Sequence, residues 1–240
     1  MALDGVALPH EDRQRSLLVV HVDLLNQVSE IAPGLWRVSP GCTLQDLQSA
    51  GLEISAWPCS SDRGLNMAQW ISLVQLPSRI GVTQACGVHA VECMYSDGVI
   101  EVLGSFGVAD SQPLRSLTAQ RTVPKLFQLC MNTKLQQLLA IAGQGVWPLR
   151  YRLDALMGSD GMTVNLGHIF LGHGASLGWV MAAYLEETRI QAFAEHLQQA
   201  CQDEEKVPYQ VRRLGEVVDH AVKRVMDPDN VYMSYPVQTG

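Results

Sequence analysis

The Asp97-Gly98 pair lies between two runs of alternating apolar and polar residues, and it constrains the fold more than any other feature of the chain. The run before the pair reads VHAVECMYS, and the run after it reads VIEVLGSFG. Asp-Gly between alternating runs is the strongest short-range signal for a two-stranded hairpin, because both residues tolerate positive φ. The sequence therefore predicts an antiparallel hairpin across residues 88–107.

Other apolar runs predict further strands. The β-branched run SLLVVHVDLL at 16–25 predicts a buried strand, and LWRV at 35–38 predicts a short strand between two Pro-Gly turns. EISAW at 53–57 predicts another strand, which Pro58 ends. In the segment from about residue 164, the pattern predicts a helical turn, a tight glycine loop and then an apolar strand.

Helices are predicted from their end signals and their periodicity. Thr43 as N-cap and Gly51 as the stop enclose a short helix, and residues 59–81 are predicted to be loop with one short helix. Residues 122–143 predict two helices, the second ending at Gly143, and residues 191–226 predict two amphipathic helices joined by a charged linker. Short strands with segregated helices indicate an α+β fold.

Composition restricts the class of protein. Hydrophobic residues make up 47% and charged residues 17% of the chain, against about 25% charged in an average domain. Two interpretations remain open: a large core, or an outer surface that rests on a partner. A net charge of −7 and scattered Lys and Arg residues argue against nucleic-acid binding.

The location predicted from the sequence is intracellular and soluble, in the cytoplasm or an organellar matrix. The first 15 residues lack the features of a secretory signal, and no apolar run reaches the length of about 18 residues that a membrane span requires. The six cysteines contain no C-x-x-C spacing, which favours reduced thiols over a zinc or disulfide framework.

Four segments carry a family resemblance when they are taken in order. Residues 24–61 run from a strand through Pro-Gly and a helix to a P-x-S-like loop, and residues 90–105 form a V-x-x-D-G-like hairpin. Residues 172–180 resemble G-S-E-G-T-L-G-[IV]-[IVT], with His173, Gly174 and Ala175 in place of S-E-G. Residues 217–236 are similar to a terminal helix followed by D-P-x-x-[IV].

This order resembles the FAD-linked oxidase family with a PCMH-type FAD-binding domain, which includes vanillyl-alcohol oxidase relatives and glycolate oxidase subunits. The resemblance implies a flavoprotein oxidoreductase with FAD as cofactor. It divides the chain into an N-terminal extension (1–15), an FAD-oxidase-like α+β domain (16–190) and C-terminal helices with a tail (191–240). The cofactor-binding residues it implies are Pro58, Ser60, Ser61, Gly172, His173, Gly174, Ser176 and Gly178.

The chain departs from the family pattern in several places. It has no N-terminal subdomain with a glycine-rich phosphate loop, so we expect a reduced PCMH-type fold with a C-terminal helical tail. The family's I-G-G is replaced by GLNMAQW, which puts Met67, Gln69 and Trp70 near the expected flavin path. A buried pyrophosphate without backbone N–H donors is costly, so we expect this chain alone to lack FAD.

Each candidate residue also has a structural interpretation. His168 and His173 are five residues apart without acidic or cysteine neighbours, which favours core histidines over a metal site. The glycines of residues 172–178 allow either a close approach of the backbone to a cofactor or tight packing within the chain, and packing is the favoured interpretation. Ser60 and Ser61 either donate to a flavin or cap a helix, and the two interpretations remain open. Cys86, Cys93 and Cys130 are predicted to fill the core, and Cys59 is the thiol to test for reactivity.

Two functions are compatible with these residues. The preferred hypothesis is a degenerate oxidase-like protein, a pseudoenzyme, that serves as a non-catalytic structural or regulatory subunit within a hetero-complex. The alternative is an FAD-dependent oxidoreductase subunit that oxidises a small hydroxy-acid-like substrate, with another chain completing the flavin site. The sequence designates no catalytic residue in either case.

Overall fold

Two sheets and six α-helices make up the described part of this computed structural model, which comprises residues 1–6, 16, 18–106, 113–158, 163–200 and 207–234. The strands are β1 (Ala2–Leu3), β2 (Val19–Val20), β3 (Val28–Ala32), β4 (Leu35–Val38), β5 (Val88–Met94), β6 (Ile100–Gly104) and β7 (Trp179–Glu186). The helices are α1 (Leu44–Ala50), α2 (Met67–Leu73), α3 (Leu117–Cys130), α4 (Thr133–Ala142), α5 (Glu187–Ala200) and α6 (Tyr209–Met226). The predicted α+β class is confirmed.

A five-stranded antiparallel sheet, in the order β3-β4-β7-β5-β6, forms the centre of the fold. The central strand is β7, in which Ala183 lies opposite Val38 on one side and Val91 on the other. The predicted hairpin is confirmed as β5 and β6, and Gly98 takes a φ of +80° at its turn. The sheet thus places the loop that precedes β7 beside the middle of the core.

The residues that the sequence predicts to cap the helix α1 do cap it in the structure. The Thr43 hydroxyl accepts a hydrogen bond from the Asp46 N–H at 3.3 Å, and the Asp46 carboxylate accepts one from the Thr43 N–H at 2.8 Å. Gly51 ends α1 with a φ of +102°. The short helix predicted in residues 59–81 is confirmed as α2.

The remaining predicted helices are confirmed with shifted bounds. The helix α3 begins at Leu117 rather than at residue 122, because Ser116 supplies its N-cap. The helix α6 packs against both α3 and α4. A Cβ on Gly215 would lie only 2.9 Å from the Leu149 side chain, so this glycine lets the helix come close to residues 148–149.

One strand prediction is confirmed only in part and another is wrong. Among the described residues of 16–25, Val19–Val20 alone forms a strand, because its parallel partner β1 has just two residues, and the predicted burial is not seen, since Leu18 and Leu24 are 65% and 94% exposed. Residues 53–57 form no strand; the Trp57 side chain instead fills the core and its indole N–H donates to the Leu65 carbonyl at 2.8 Å. Both stretches are rich in apolar residues, as a strand would be, but neither has a long strand beside it with which its backbone could pair.

A second apolar cluster joins the first residues of the chain to the tail after α6 and to the start of β7. Its buried members are Ala2, Leu3, Val6, Val22, Ala68, Ala175, Trp179, Tyr232 and Met233. The Met233 N–H also donates to the Met1 carbonyl at 3.1 Å. This cluster therefore covers one side of the loop before β7.

Several predictions fall outside what the structure tests. The charged linker at 203–206 lies outside the described residues, and the three-part division at residues 15 and 190 stays a prediction. Within the described ranges, no helix combines the length and the apolar character needed to cross a membrane.

Candidate functional site

The glycine loop, residues 171–178, connects a 3-10 turn at Leu166–Phe170 to β7, and all of its residues are buried. The N–H groups of Gly172 and Gly174 donate to the carbonyls of Ile71 and Ser72, each at 2.8 Å. Gly172 takes a φ of +73°, and a Cβ there would lie 2.7 Å from the Val74 carbonyl oxygen. The loop is thus bonded directly to the C-terminal end of α2.

His173 lies in this loop with its ring fully enclosed. Its Nδ1 accepts a hydrogen bond from the Leu177 N–H at 3.3 Å, and its Nε2 is 3.2 Å from the Ser72 hydroxyl. Because a backbone N–H can only donate, the ring proton of neutral His173 is on Nε2 and points to Ser72. Burial, together with the nearby Lys223 charge, lowers the pKa of His173 to about 3. His173 therefore cannot act as a base toward Ser72.

The hydroxyl of Ser176 is also bonded within the protein. It donates to the His173 carbonyl, so the Tyr151 hydroxyl, 2.9 Å away, is the donor in the second bond. The Ser176 carbonyl accepts a hydrogen bond from Lys223 Nζ at 2.6 Å. Neither the hydroxyl proton nor the carbonyl of Ser176 is directed at a ligand-sized space.

The side of the glycine loop that includes Gly178 is closed by the start of the chain. A void of about 10 Å³ is all that remains there, lined by Leu3, Ala68, Ser72, His173, Ala175, Gly178, Trp179 and Val180. A single water needs about this much space, so nothing larger fits. Met67 and Trp70 are buried in the core, and the Gln69 side chain donates to the Asp4 carbonyl at 2.9 Å.

The predicted P-x-S loop lies away from this void. The Pro58 carbonyl accepts a hydrogen bond from the Trp70 indole at 2.9 Å, and the Ser60 hydroxyl accepts one from the Asp62 N–H at 3.2 Å. Ser61 is exposed. Pro58, Ser60 and Ser61 line neither this void nor the larger cleft described below.

The helix-cap interpretation of the two serines is wrong, because α2 is capped by Asn66. Its side chain accepts a hydrogen bond from the Gln69 N–H at 2.9 Å, and Gln69 accepts one from the Asn66 N–H at 3.1 Å. The spacing Asn66-x-x-Gln69 is the sequence signal that identifies this cap. Ser60 instead closes a local turn with Asp62.

His168 and Cys86 form a second buried pair. His168 Nε2 is 2.7 Å from the Val88 carbonyl and 3.5 Å from Cys86 Sγ, while Nδ1 has no hydrogen-bond partner among the described residues. Burial lowers the pKa of His168 to about 4 and raises that of Cys86 to about 12. Both groups are therefore neutral near pH 7, and the thiol is not activated as a nucleophile.

The buried histidines and cysteines match the core roles predicted for them. His168, His173, Cys86, Cys93 and Cys130 are all buried, and Cys59 is half-buried with a φ of +53°. Burial raises the pKa of Cys93 and of Cys130. No group of three His, Cys, Asp or Glu side chains in the described part of the chain is arranged to hold a metal ion.

A larger cleft of about 600 Å³ lies at the C-terminal end of α2, and sequence reasoning missed it. Its walls come from residues 72–78, 147–152, the glycine loop and the first two turns of α6. Its charged side chains are Arg150, Arg152, Arg212, Arg213 and Glu216. The sequence signals for this cleft are the Arg-Tyr-Arg segment and the Arg-Arg pair, but only the tertiary fold brings the two together.

Arg152 forms the rigid base of this cleft. Its guanidinium donates to the carbonyls of Pro77 and Arg79 at 3.1 and 2.8 Å and to the Asp154 carboxylate at 2.7 Å. Both side chains of this ion pair are almost fully buried. Asp154 also accepts a hydrogen bond from the Gly81 N–H at 2.9 Å, which ties the pair to the chain after residue 80.

The sequence matches no protein-family model and no curated protein. The geometry of the glycine loop and of the cleft is therefore the basis for a functional interpretation.

Proposed function

We propose that this chain is a degenerate FAD-linked oxidase-like protein with a reduced PCMH-type fold, and that it acts as a non-catalytic structural or regulatory subunit of a larger assembly. The observation that carries this proposal is that the glycine loop is closed on the side of Gly178. Where the family resemblance implies a cofactor, the amides of Gly172 and Gly174 are bonded to α2 and only about 10 Å³ of space remains beside Gly178.

The chemistry of the buried side chains supports a role without catalysis. His173 holds its proton toward Ser72, and its other ring nitrogen is occupied by a backbone N–H rather than by a carboxylate. A serine nucleophile needs the reverse arrangement, in which the histidine accepts the hydroxyl proton and a carboxylate orients the ring. The Cys86 thiol beside His168 stays protonated.

The exposed surface supports binding to a protein partner. Among the strands that the structure describes, β3 lies at an edge of the sheet and pairs with β4 alone, and Ile31 on it is 50% exposed. Leu24 and Leu25, just before this strand, are 94% and 46% exposed. An unpaired edge with apolar side chains is a template for a strand of another chain.

The absorbance of the purified chain and its titration with FAD test the proposal that this chain binds no FAD. We expect colourless protein and no heat of binding when FAD is added. Flavin absorbance that survives gel filtration, or stoichiometric binding of added FAD, would contradict the proposal and would favour the alternative, an FAD-dependent oxidoreductase subunit. One observation favours that alternative: Gly172 and Gly174 also border the 600 Å³ cleft, which has room for part of a flavin.

The proposed binding of a protein partner is tested on the protein isolated from the cells that naturally produce it. We expect a native mass above that of one chain, and we expect Ile31→Lys to release the partner because a charge at the edge blocks strand addition. Ile141→Lys is the matched control, since Ile141 is 62% exposed on α4. A monomeric wild type, or equal effects of the two substitutions, would contradict the assembly role.

A further inference from the structure

The cleft beside α6 has the size of a small-molecule site. Its volume of about 600 Å³ lies within the range of roughly 300–1,000 Å³ that is typical of ligand pockets. Its wall combines apolar side chains, among them Leu73, Leu76 and Leu149, with polar and charged ones, among them Gln75, Tyr209 and the four arginines. Such a wall favours a ligand that has both an apolar part and a charged part.

The walls are held in place before any ligand arrives. Asp219 accepts hydrogen bonds from the N–H groups of Arg150 and Tyr151 at 3.2 and 3.3 Å, and the Trp147 indole donates to the Tyr151 carbonyl at 3.1 Å. Residues 147–152 are thereby fixed to α6. A preformed wall reduces the ordering that binding requires.

The charges in the cleft are unbalanced. The Arg152 charge is neutralised by Asp154, and Arg150 lies 3.7 Å from Glu216, the acidic residue of the cleft wall. Arg212 and Arg213, at the start of α6, have no ion-pair partner within the described ranges. Among the described residues of the cleft, two positive charges therefore remain without a counter-charge, although the chain as a whole carries −7.

The charge and the wall together define the ligand. Guanidinium groups bind phosphate oxygens through paired hydrogen bonds, and a phosphate monoester carries close to two negative charges at neutral pH. A single carboxylate would leave one arginine uncompensated. We propose that this cleft binds an organic phosphate monoester, with its phosphate at Arg212 and Arg213 and its organic part against the apolar side chains of the wall. This site does not depend on the proposed subunit role.

Calorimetric titration with two matched compounds tests the site. The probes are 4-methylumbelliferyl phosphate and 4-methylumbelliferone, which differ only by the phosphate, with inorganic phosphate as a third ligand. We expect the ester to bind about ten-fold more tightly than the phenol. The variant Arg212→Gln/Arg213→Gln should lose this difference. The control Arg224→Gln, in an exposed arginine on the last turn of the same helix, should keep it.

Three results would overturn the proposal: equal affinity for the ester and the phenol, equal affinity for the ester and inorganic phosphate, or undiminished ester binding by the double variant. Circular dichroism establishes that the variants are folded. A second measurement uses the wild type alone: added salt should weaken binding of the ester but not of the phenol. Both measurements use protein from which FAD has been shown to be absent, so that a flavin does not compete for the cleft.

Discussion

At Gly172 two constraints on the side chain coincide. The backbone has a φ of +73°, and the Val74 carbonyl oxygen occupies the space where a Cβ would be placed. Gly98 in the β5–β6 turn has a similar φ of +80° but no atom within 4 Å of its ideal Cβ position. The two glycines therefore separate the effect of backbone conformation from that of close packing.

We predict that Gly172→Ala destabilises the protein more than Gly98→Ala does. The left-handed conformation costs about 1–2 kcal/mol for alanine at either position. Displacing the Val74 carbonyl adds about 1–3 kcal/mol at Gly172 alone. Urea denaturation measures both free energies of unfolding, and equal losses would show that the loop does not pack against α2 as described.

Among the elements, the short strand β1 matters because of what it covers. Leu3 is buried beside the void at Gly178 and Trp179, whereas Leu24 is almost fully exposed in a turn. We predict that Leu3→Ala lowers the free energy of unfolding by about 2–3 kcal/mol, as expected for a buried leucine. Leu24→Ala should change it by less than about 0.5 kcal/mol. Thermal denaturation of both variants checks this prediction. If the Leu3→Ala variant is as stable as the wild type, β1 does not close the glycine loop.

Elements with local signals could be predicted from the sequence. The Asp97-Gly98 turn and the Thr43 cap specify their hairpin and helix through neighbouring residues, and the structure confirms both. The run at 16–25 has the right residue types, yet its strand length depends on β1, which lies outside that run. Local pattern cannot reveal that partner.

The site was less predictable for the same reason. Packing of the glycine loop was the favoured interpretation, and the loop is indeed bonded to α2. The cleft, by contrast, combines Arg150 with Arg212 and Arg213, which are about sixty residues apart in the sequence. No spacing rule connects such residues. The void beside Gly178 likewise depends on Leu3, and only the tertiary fold brings them together.

For the whole molecule, three buried groups make stability depend on pH in opposite directions. Burial lowers the pKa of His168 and His173 from 6.5 to about 4 and about 3, so the stability they contribute is present above pH 6.5 and is lost as the pH falls below it. Burial raises the pKa of Asp219 from 3.8 to about 7. Its contribution is complete below pH 3.8 and is lost as the pH rises through about 7.

We predict that between pH 6.5 and about pH 8 these contributions nearly cancel in the wild type. The histidines of the unfolded chain lose their protons over this range, which adds about 1 kcal/mol of stability, and the last part of the Asp219 contribution, of about the same size, is lost. Asp219→Asn should therefore gain about 1 kcal/mol over this range, whereas Asp229→Asn, in an exposed residue, should keep the nearly constant stability of the wild type. Urea titrations at several pH values measure the slopes, and equal slopes in the two variants would contradict the contribution assigned to Asp219.

Lys223 joins the glycine loop to two segments that follow it in the chain. Its ammonium group donates to the Ser176 carbonyl at 2.6 Å, to the Asp227 carboxylate and to the Tyr232 carbonyl at 3.3 Å. Release of any one segment would remove an acceptor from this largely buried charge. We therefore expect the glycine loop, the end of α6 and the tail at 231–233 to open as one cooperative unit, so that their amide hydrogens share a single level of protection against deuterium.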